Sequence, residues 1–479
     1  MTELPPGWAR APLSDFAEVR LGRQRSPKNH TGSNMRPYLR AANVGWRGLL
    51  LDDVKSMHFT DEEVEIYRLR RGDIVMGEAS GSAGEVGKPA LWNEEIDDCC
   101  LQNTLIRVRA RRVDPRFLLH YLRHEALRGA FATGSRGVGI HHIGASRLAQ
   151  WPINIPPIAE QHRLVAEIED RLSQLDAVAS SLDTVVVRTS RLRDKITDFA
   201  TNGGVIPADR VASQLAPVGT DDGSLPMLPK GWRWARLGEV AAVAGGVTKD
   251  TKKQNDPSYI EVPYLRVANV QRGRLNLSNV SNIRVAATKA EQLYLRYGDV
   301  LLNEGGDRDK LGRGWIWEDQ IPGCIHQNHV FRARVDQDIL HPKLLAWHAN
   351  GFGKRWCERN GKQSVNLASI SLSKIRMLPV AIPPKDIQHG LVSHIEERLK
   401  MADMTLRTAT AGLDRVAALR KAVLRSALSG GLVPQDPADE PASALLNAAR
   451  AEVEAQAGRG RRRAVGGRTP KKEVQETLL

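Results

Sequence analysis

Apolar residues recur at seven-residue spacing in two stretches of the chain. In the first, Ile168, Leu175, Leu182 and Ile196 form one column, and Val178, Val185, Leu192 and Phe199 form a second. This period predicts a coiled-coil register. The stretch opens with IPPIAEQHRLVAEIEDRL at Ile155 and returns as IPPKDIQHGLVSHIEERL at Ile382, 227 positions later. A Pro-Pro pair suits a first helical turn, and the acidic-polar turn after it suits a helix N-terminus. Gly203-Gly204 and Gly430-Gly431 end the two runs. Each therefore predicts one helix of roughly 40 residues, about 60 Å long at 1.5 Å per residue. The second helix keeps phase through Ile395, Val416 and Val423, and Leu172, Val186, Leu399, Leu406 and Leu413 make a third column. A two-stranded seam needs only two columns, so the third is expected to bind something else.

The repeat extends beyond the helices. LPPGW at Leu4 returns as LPKGW at Leu228, RPYLRAANV at Arg36 as VPYLRVANV at Val262, and LRRGDIV at Leu69 as LRYGDVL at Leu295. The chain is thus a tandem duplication of a domain followed by a long helix. Within each copy, short β-patterned runs precede a helix near Pro115 to Phe131 and a Gly-rich loop, GSRGVGIHH. The fold class expected is α+β, with two tandem α+β domains related by a pseudo-two-fold axis and separated by two long antiparallel helices. The boundaries expected are 1–155 for the first domain, 156–202 for its helix and 203–227 for a linker. The second copy follows as 228–382 and 383–429, and 430–479 is a tail, basic and without order after about 455.

Framework segments match between copies, but GEASGSAGEVGK (77–88) and NEGGDRDKLGR (303–313) share little beyond glycine and a basic end. Matched frames with different loops fit two related readers of different targets. Two such heads on a rigid spacer fit a DNA site with two half-sites.

Net charge narrows the partner. The 479 residues carry a formal +14, which points to a polyanion, although seven of the basic residues fall between 459 and 472. Four cysteines show neither a pairing framework nor metal spacing, which fits a reducing cytoplasm. The N-terminus has no apolar core and no run of 18 apolar residues occurs, so neither export nor a membrane span is expected.

Catalytic motifs are not found. Asp256-Pro257-Ser258-Tyr259 approaches the Asp-Pro-Pro-Tyr of adenine methyltransferases but has Ser in place of a proline, and no buried strand precedes it. SAGEVGK lacks the first glycine and the Ser/Thr of a phosphate loop. His141-His142 has no carboxylate or thiol partner in the pattern, and the second copy has Ala368-Ser369 there, so no metal site is expected.

The LPxGW opening, the PPxxEQHRLVAEIE helix start and LSGGLVPQDPADEPASALL near the C-terminus resemble the specificity subunit of Type I restriction-modification systems, and the likeness covers nearly the whole chain. TNGGVIPADRVASQL after the first helix is a degenerate copy of that C-terminal segment. The second helix departs from the pattern, with Ile387-Gln388-His389 where the first has Glu160-Gln161-His162, which puts one cap in doubt. The resemblance implies target recognition domains at 1–155 and 228–382, with the helices as conserved spacers. It implies a cytoplasmic, non-catalytic subunit that binds double-stranded DNA and joins two modification (methyltransferase) subunits and restriction (translocase/endonuclease) subunits. S-adenosylmethionine, and ATP and Mg for restriction, belong on those partners, with no cofactor in this chain. The third apolar column is then the docking face for modification subunits. A two-headed DNA-binding regulator and a self-contained methyltransferase or nuclease are the alternatives.

Base-reading residues follow from type and place, since Arg suits guanine and Asn or Gln suits adenine in the major groove. The candidates are Arg40, Asn43, Arg47, Arg136 and His141 in the first domain. In the second they are Arg266, Asn269, Arg272, Arg308, Arg313, Gln363 and Asn366. Gln102-Asn103 and Gln327-Asn328 recur at identical places and are assigned to the framework.

Overall fold

The structure is a computed structural model, and it describes residues 3–132, 141–204, 206–212, 215–363 and 367–466. The chain divides into two compact units, one of Met1–Ser181 with Gly412–Leu479 and the other of Leu182–Ala411.

In the first unit a four-stranded antiparallel sheet runs in the order Ala17–Leu21, Leu105–Ala110, Asp73–Gly77, Pro89–Leu91. Beside it, Met35–Leu39 pairs parallel with Cys100–Leu101 and antiparallel with Lys55–His58. Ala9–Pro12 pairs with Pro152–Ile155, so the start and end of the domain are bound together. The second unit repeats this order strand for strand. Ala241–Ala244, Val330–Val335, Val300–Asn303 and Gly314–Ile316 form its four-stranded sheet, Ile260–Leu265 lies between Ser281–Val285 and Ile325–His326, and Arg233–Arg236 pairs with Pro379–Ile382. Equivalent ion pairs tie each main sheet internally: Arg109 to buried Asp73, and Arg334 to buried Asp299, both at 2.7 Å.

The long helices span Ile158–Thr201 and Lys385–Leu428, 44 residues each and offset by the same 227 positions. Both end in one geometry. Gly203 and Gly430 take positive φ, +72° and +77°. Gly204 N–H then donates to Phe199 O and Gly203 N–H to Ala200 O, just as Gly431 donates to Ser426 and Gly430 to Ala427. This pair of bonds is the Schellman closure, which needs a left-handed residue that glycine supplies without strain.

The helices pack with opposed directions inside each unit. In the first, Leu164, Val165 and Ile168 share a core with Leu424, Ala427 and Leu428 from the other helix's end. In the second, Ala200 and Ile196 share a core with Leu391, Val392 and Ile395. Asp176 pairs with Arg420 in the first unit, and Arg193 pairs with Asp403 at 2.9 Å in the second. Under the 227-residue offset these are the same pair twice.

The assignment of faces on these helices needs correction. Leu172, Val186, Leu399, Leu406 and Leu413, expected to face a partner, are all half-buried; Leu172 packs on the first unit's core and Leu399 on the second's. The outward column is instead Val178, Val185, Leu192 and Phe199, exposed at 49%, 38%, 53% and 57%.

The segments after the helices belong to the units too. Arg210–Val211 pairs with Leu228–Pro229, and Asp222 takes Arg236 at 2.9 Å and the Trp356 indole N–H at 2.9 Å. In the first unit, Ala442 and Ala449 enter the core, Ala442 N–H donates to Gly7 O, and Arg450 pairs with Asp15. That helix runs Ala442–Gly466, past residue 455, where order was expected to end; 467–479 lie outside the described residues.

Candidate nucleic-acid interface

In each unit the variable Gly-rich loop is brought against the loop that follows the domain's helix. Ala79–Ser80 pairs with His141–His142, and Gly305–Gly306 pairs with Ala368–Ser369, which also pairs with Lys362–Gln363. Two segments far apart in the chain and different between copies thus form one surface per domain. Of the candidates, His141 (half-buried) and Gln363 (exposed) lie on it. Arg136 and Asn366, on the same loops by sequence, lie outside the described residues. Lys362, exposed beside Gln363, was missed, because a lysine among other polar loop residues carries no distinguishing pattern.

Arg308 and Arg272 do not point freely from the second unit's surface. Arg308 Nε and Nη2 both donate to Glu358 O, at 3.2 and 2.9 Å. Arg272 donates to Asn350 O at 2.8 Å and Asp309 O at 2.9 Å, which ties loop 303–313 to the domain's helices. Arg313 is half-buried, and burial lowers its pKa. Arg47 is exposed, Arg40 is held by Asp53 at 2.6 Å, and Arg266 is half-buried.

Asn43 and Asn269 are corrected to framework residues. Asn43 is 2% exposed; its Oδ1 accepts from Arg40 N–H, and its Nδ2 donates to Leu50 O and Asp53 O. Asn269 is 3% exposed and does the same with Arg266 N–H, Asn276 O and Asn279 O. An amide fully spent on a buried turn has nothing left for a base edge. The recurrence of both at one place in the repeat was the available signal, the argument that assigns Gln102 to the framework, where it is 9% exposed.

The motifs weighed for chemistry sit in plain structural settings. Asp256 Oδ1 accepts from both the N–H and the hydroxyl of Ser258, closing an exposed turn. Burial pushes the thiols of Cys99, Cys100, Cys324 and Cys357 up to about 12, away from nucleophilic use near neutrality. Among the described residues no group of three or more His, Cys, Asp or Glu is placed to hold a metal, and no helix is long and apolar enough to cross a membrane.

Comparison with known proteins agrees with this arrangement. Residues 5–184 match the family model for the Type I restriction modification DNA specificity domain. The chain is 24% identical over 468 residues to the StySPI specificity subunit of Salmonella potsdam, covering 94% of this chain and 96% of that protein. It is 22% identical over 473 residues to the EcoKI specificity subunit of Escherichia coli, covering 95% and 98%. A solved chain from work on complex assembly and conformational transition of the type I R-M system aligns with a TM-score of 0.64 at 19% identity, over 90% of this chain and all of that one. The HsdS subunit from Thermoanaerobacter tengcongensis aligns at 0.51 and 18%, over 90% and 98%. The class these likenesses point to is that of DNA specificity subunits. Within it, the chain is similar over nearly its whole length to specificity subunits of Type I restriction enzymes.

Proposed function

We propose that the chain recognises an asymmetric bipartite site in double-stranded DNA, one half-site per domain, and that the paired long helices set the gap. The observation that carries this is the identical strand order of the two units beneath different loops at 77–88 and 303–313. The reading surface is assigned to those loops with His141, Arg308, Arg313, Gln363 and Lys362, together with Arg136 and Asn366. Arg40, Arg47, Arg266 and Arg272 flank it as phosphate or base contacts.

Two modification subunits dock on the spacer, and the outward column Val178, Val185, Leu192 and Phe199 is the apolar surface offered to them. Burying such residues contributes about 1.5–3 kcal/mol each. S-adenosylmethionine belongs on those partners, and ATP and Mg on restriction subunits. The subunit works in the cytoplasm.

The test is selection of duplexes from a random pool by the chain with its modification partner. Two specified blocks separated by a fixed number of unspecified base pairs are expected. A single continuous block would overturn the reading.

A further inference from the structure

The second unit contains a cavity of about 880 Å³ between its domain and its stretches of the two long helices. Trp315 and Trp347 form an apolar wall, their rings 6.3 Å apart between centroids. Seven cationic side chains and four carboxylates line it, and three of the carboxylates are already committed: Asp198 to Arg355, Asp403 to Arg193, and Glu396 to Lys343. Lys195, Lys400 and Arg407 on the helices are exposed and make no described ion pair or hydrogen bond. The positive charge of the groove that no described ion pair offsets is carried by these three and Arg272, facing Asp194.

Two further features give the groove a direction and a purpose. Its wall includes Arg272, which holds the carbonyl of Asp309 in loop 303–313, so it is continuous with the surface assigned to reading the second half-site. It is also not framework. Under the 227-residue offset, Lys400, Arg407 and Lys195 correspond to Ser173, Ser180 and Ala422, and Trp347 corresponds to His120. Strand register places Ala90 where the second unit has Trp315, since each pairs with the equivalent strand residue, Val75 or Leu301. A charged, aromatic groove present in one copy and missing from the other is an addition to the shared fold.

We propose that this groove grips one sugar-phosphate strand of DNA beside the second half-site, with Lys195, Lys400 and Arg407 meeting phosphates and the half-buried Trp315 indole, backed by buried Trp347, packing on sugar. This rests on the bipartite reading above and adds a sequence-independent anchor that the first domain lacks. Phosphate contacts fix position without reading bases, and each releases condensed counterions.

The experiment is a salt titration of DNA binding by the complex of the chain with its modification partner, wild type against K195A/K400A/R407A. Three lost phosphate contacts reduce the slope of log K against log salt by about 2.7, at about 0.9 per contact, with affinity falling equally for cognate and half-site-mismatched duplexes. The charge-preserving variant K195R/K400R/R407K should keep the wild-type slope. An unchanged slope in the alanine variant overturns the proposal. So does loss of the partner from the purified complex, which would make the groove a protein interface. The two readings fail separately: a bipartite selection result with an unchanged slope removes only the anchor, and a failed selection removes the half-site reading whatever the slope.

Discussion

Gln161 spends both ends of its amide where the first domain meets its helix, accepting from Asp114 N–H and donating to Pro156 O, each at 2.9 Å, while fully buried. Gln388 repeats this, accepting from His341 N–H and donating to Ile339 O and Pro383 O. Replacing either with Leu strands buried backbone groups, so each substitution should cost about 1–3 kcal/mol in denaturant melts, with recognition lost only through the head concerned. The neighbouring departure between copies turns out mild. Glu160 is buried and accepts the Trp8 indole N–H, and burial raises its pKa, whereas Ile387 packs on the second unit's core. One copy uses a costly polar contact and the other an apolar one, so the substitution does not weaken the second helix's start. Histidine burial sets the acid response. His120 is pushed down to about 3, and His326 and His348 to about 4, in each case first by burial. In the unfolded chain these rings titrate near 6.5, so their contribution is intact above that pH and is lost as pH falls from about 6.5 toward 3–4. Melting temperatures should fall through that window. His120→Phe should flatten the fall by about one proton, because neither His120 nitrogen has a hydrogen-bond partner to lose. A steepened acid response in that variant would contradict the assignment.

At the scale of elements, the two helices and their repeat are plain in sequence because heptads and Pro-Pro starts are local signals, and the 44-residue lengths follow from glycines that permit a Schellman end. The choice between flanking apolar columns was not legible, since both repeat at the same heptad spacing. This yields a paired prediction. Leu399 and Leu406 changed together to Glu places charge on half-buried positions of the second unit and should unfold it, seen as lost helical circular dichroism and early melting. Val178, Val185 and Leu192 changed to Glu should leave the melt within about 1 kcal/mol of wild type and abolish co-purification of the modification partner. The reverse pattern would restore the original division of faces. Inserting four residues after Leu182 breaks the heptad phase, and binding to the native bipartite site should be lost.

For the molecule as a whole, the duplication was readable from LPxGW to the helix ends, and the strand orders repeat it. The reading residues were only partly readable. Residue type selected Asn43 and Asn269, which the fold spends on turns, and missed the cations Lys195, Lys400 and Arg407, which become a cluster only when helix and domain meet. The central claim is that each domain reads its own half-site independently. Its most direct test is methylome mapping in cells whose chain has Leu4 to Trp151 replaced by the matching domain of a relative. The account predicts that one half-site changes while the other half-site and the gap stay as they were. A change in both half-sites, or in the gap, would contradict it.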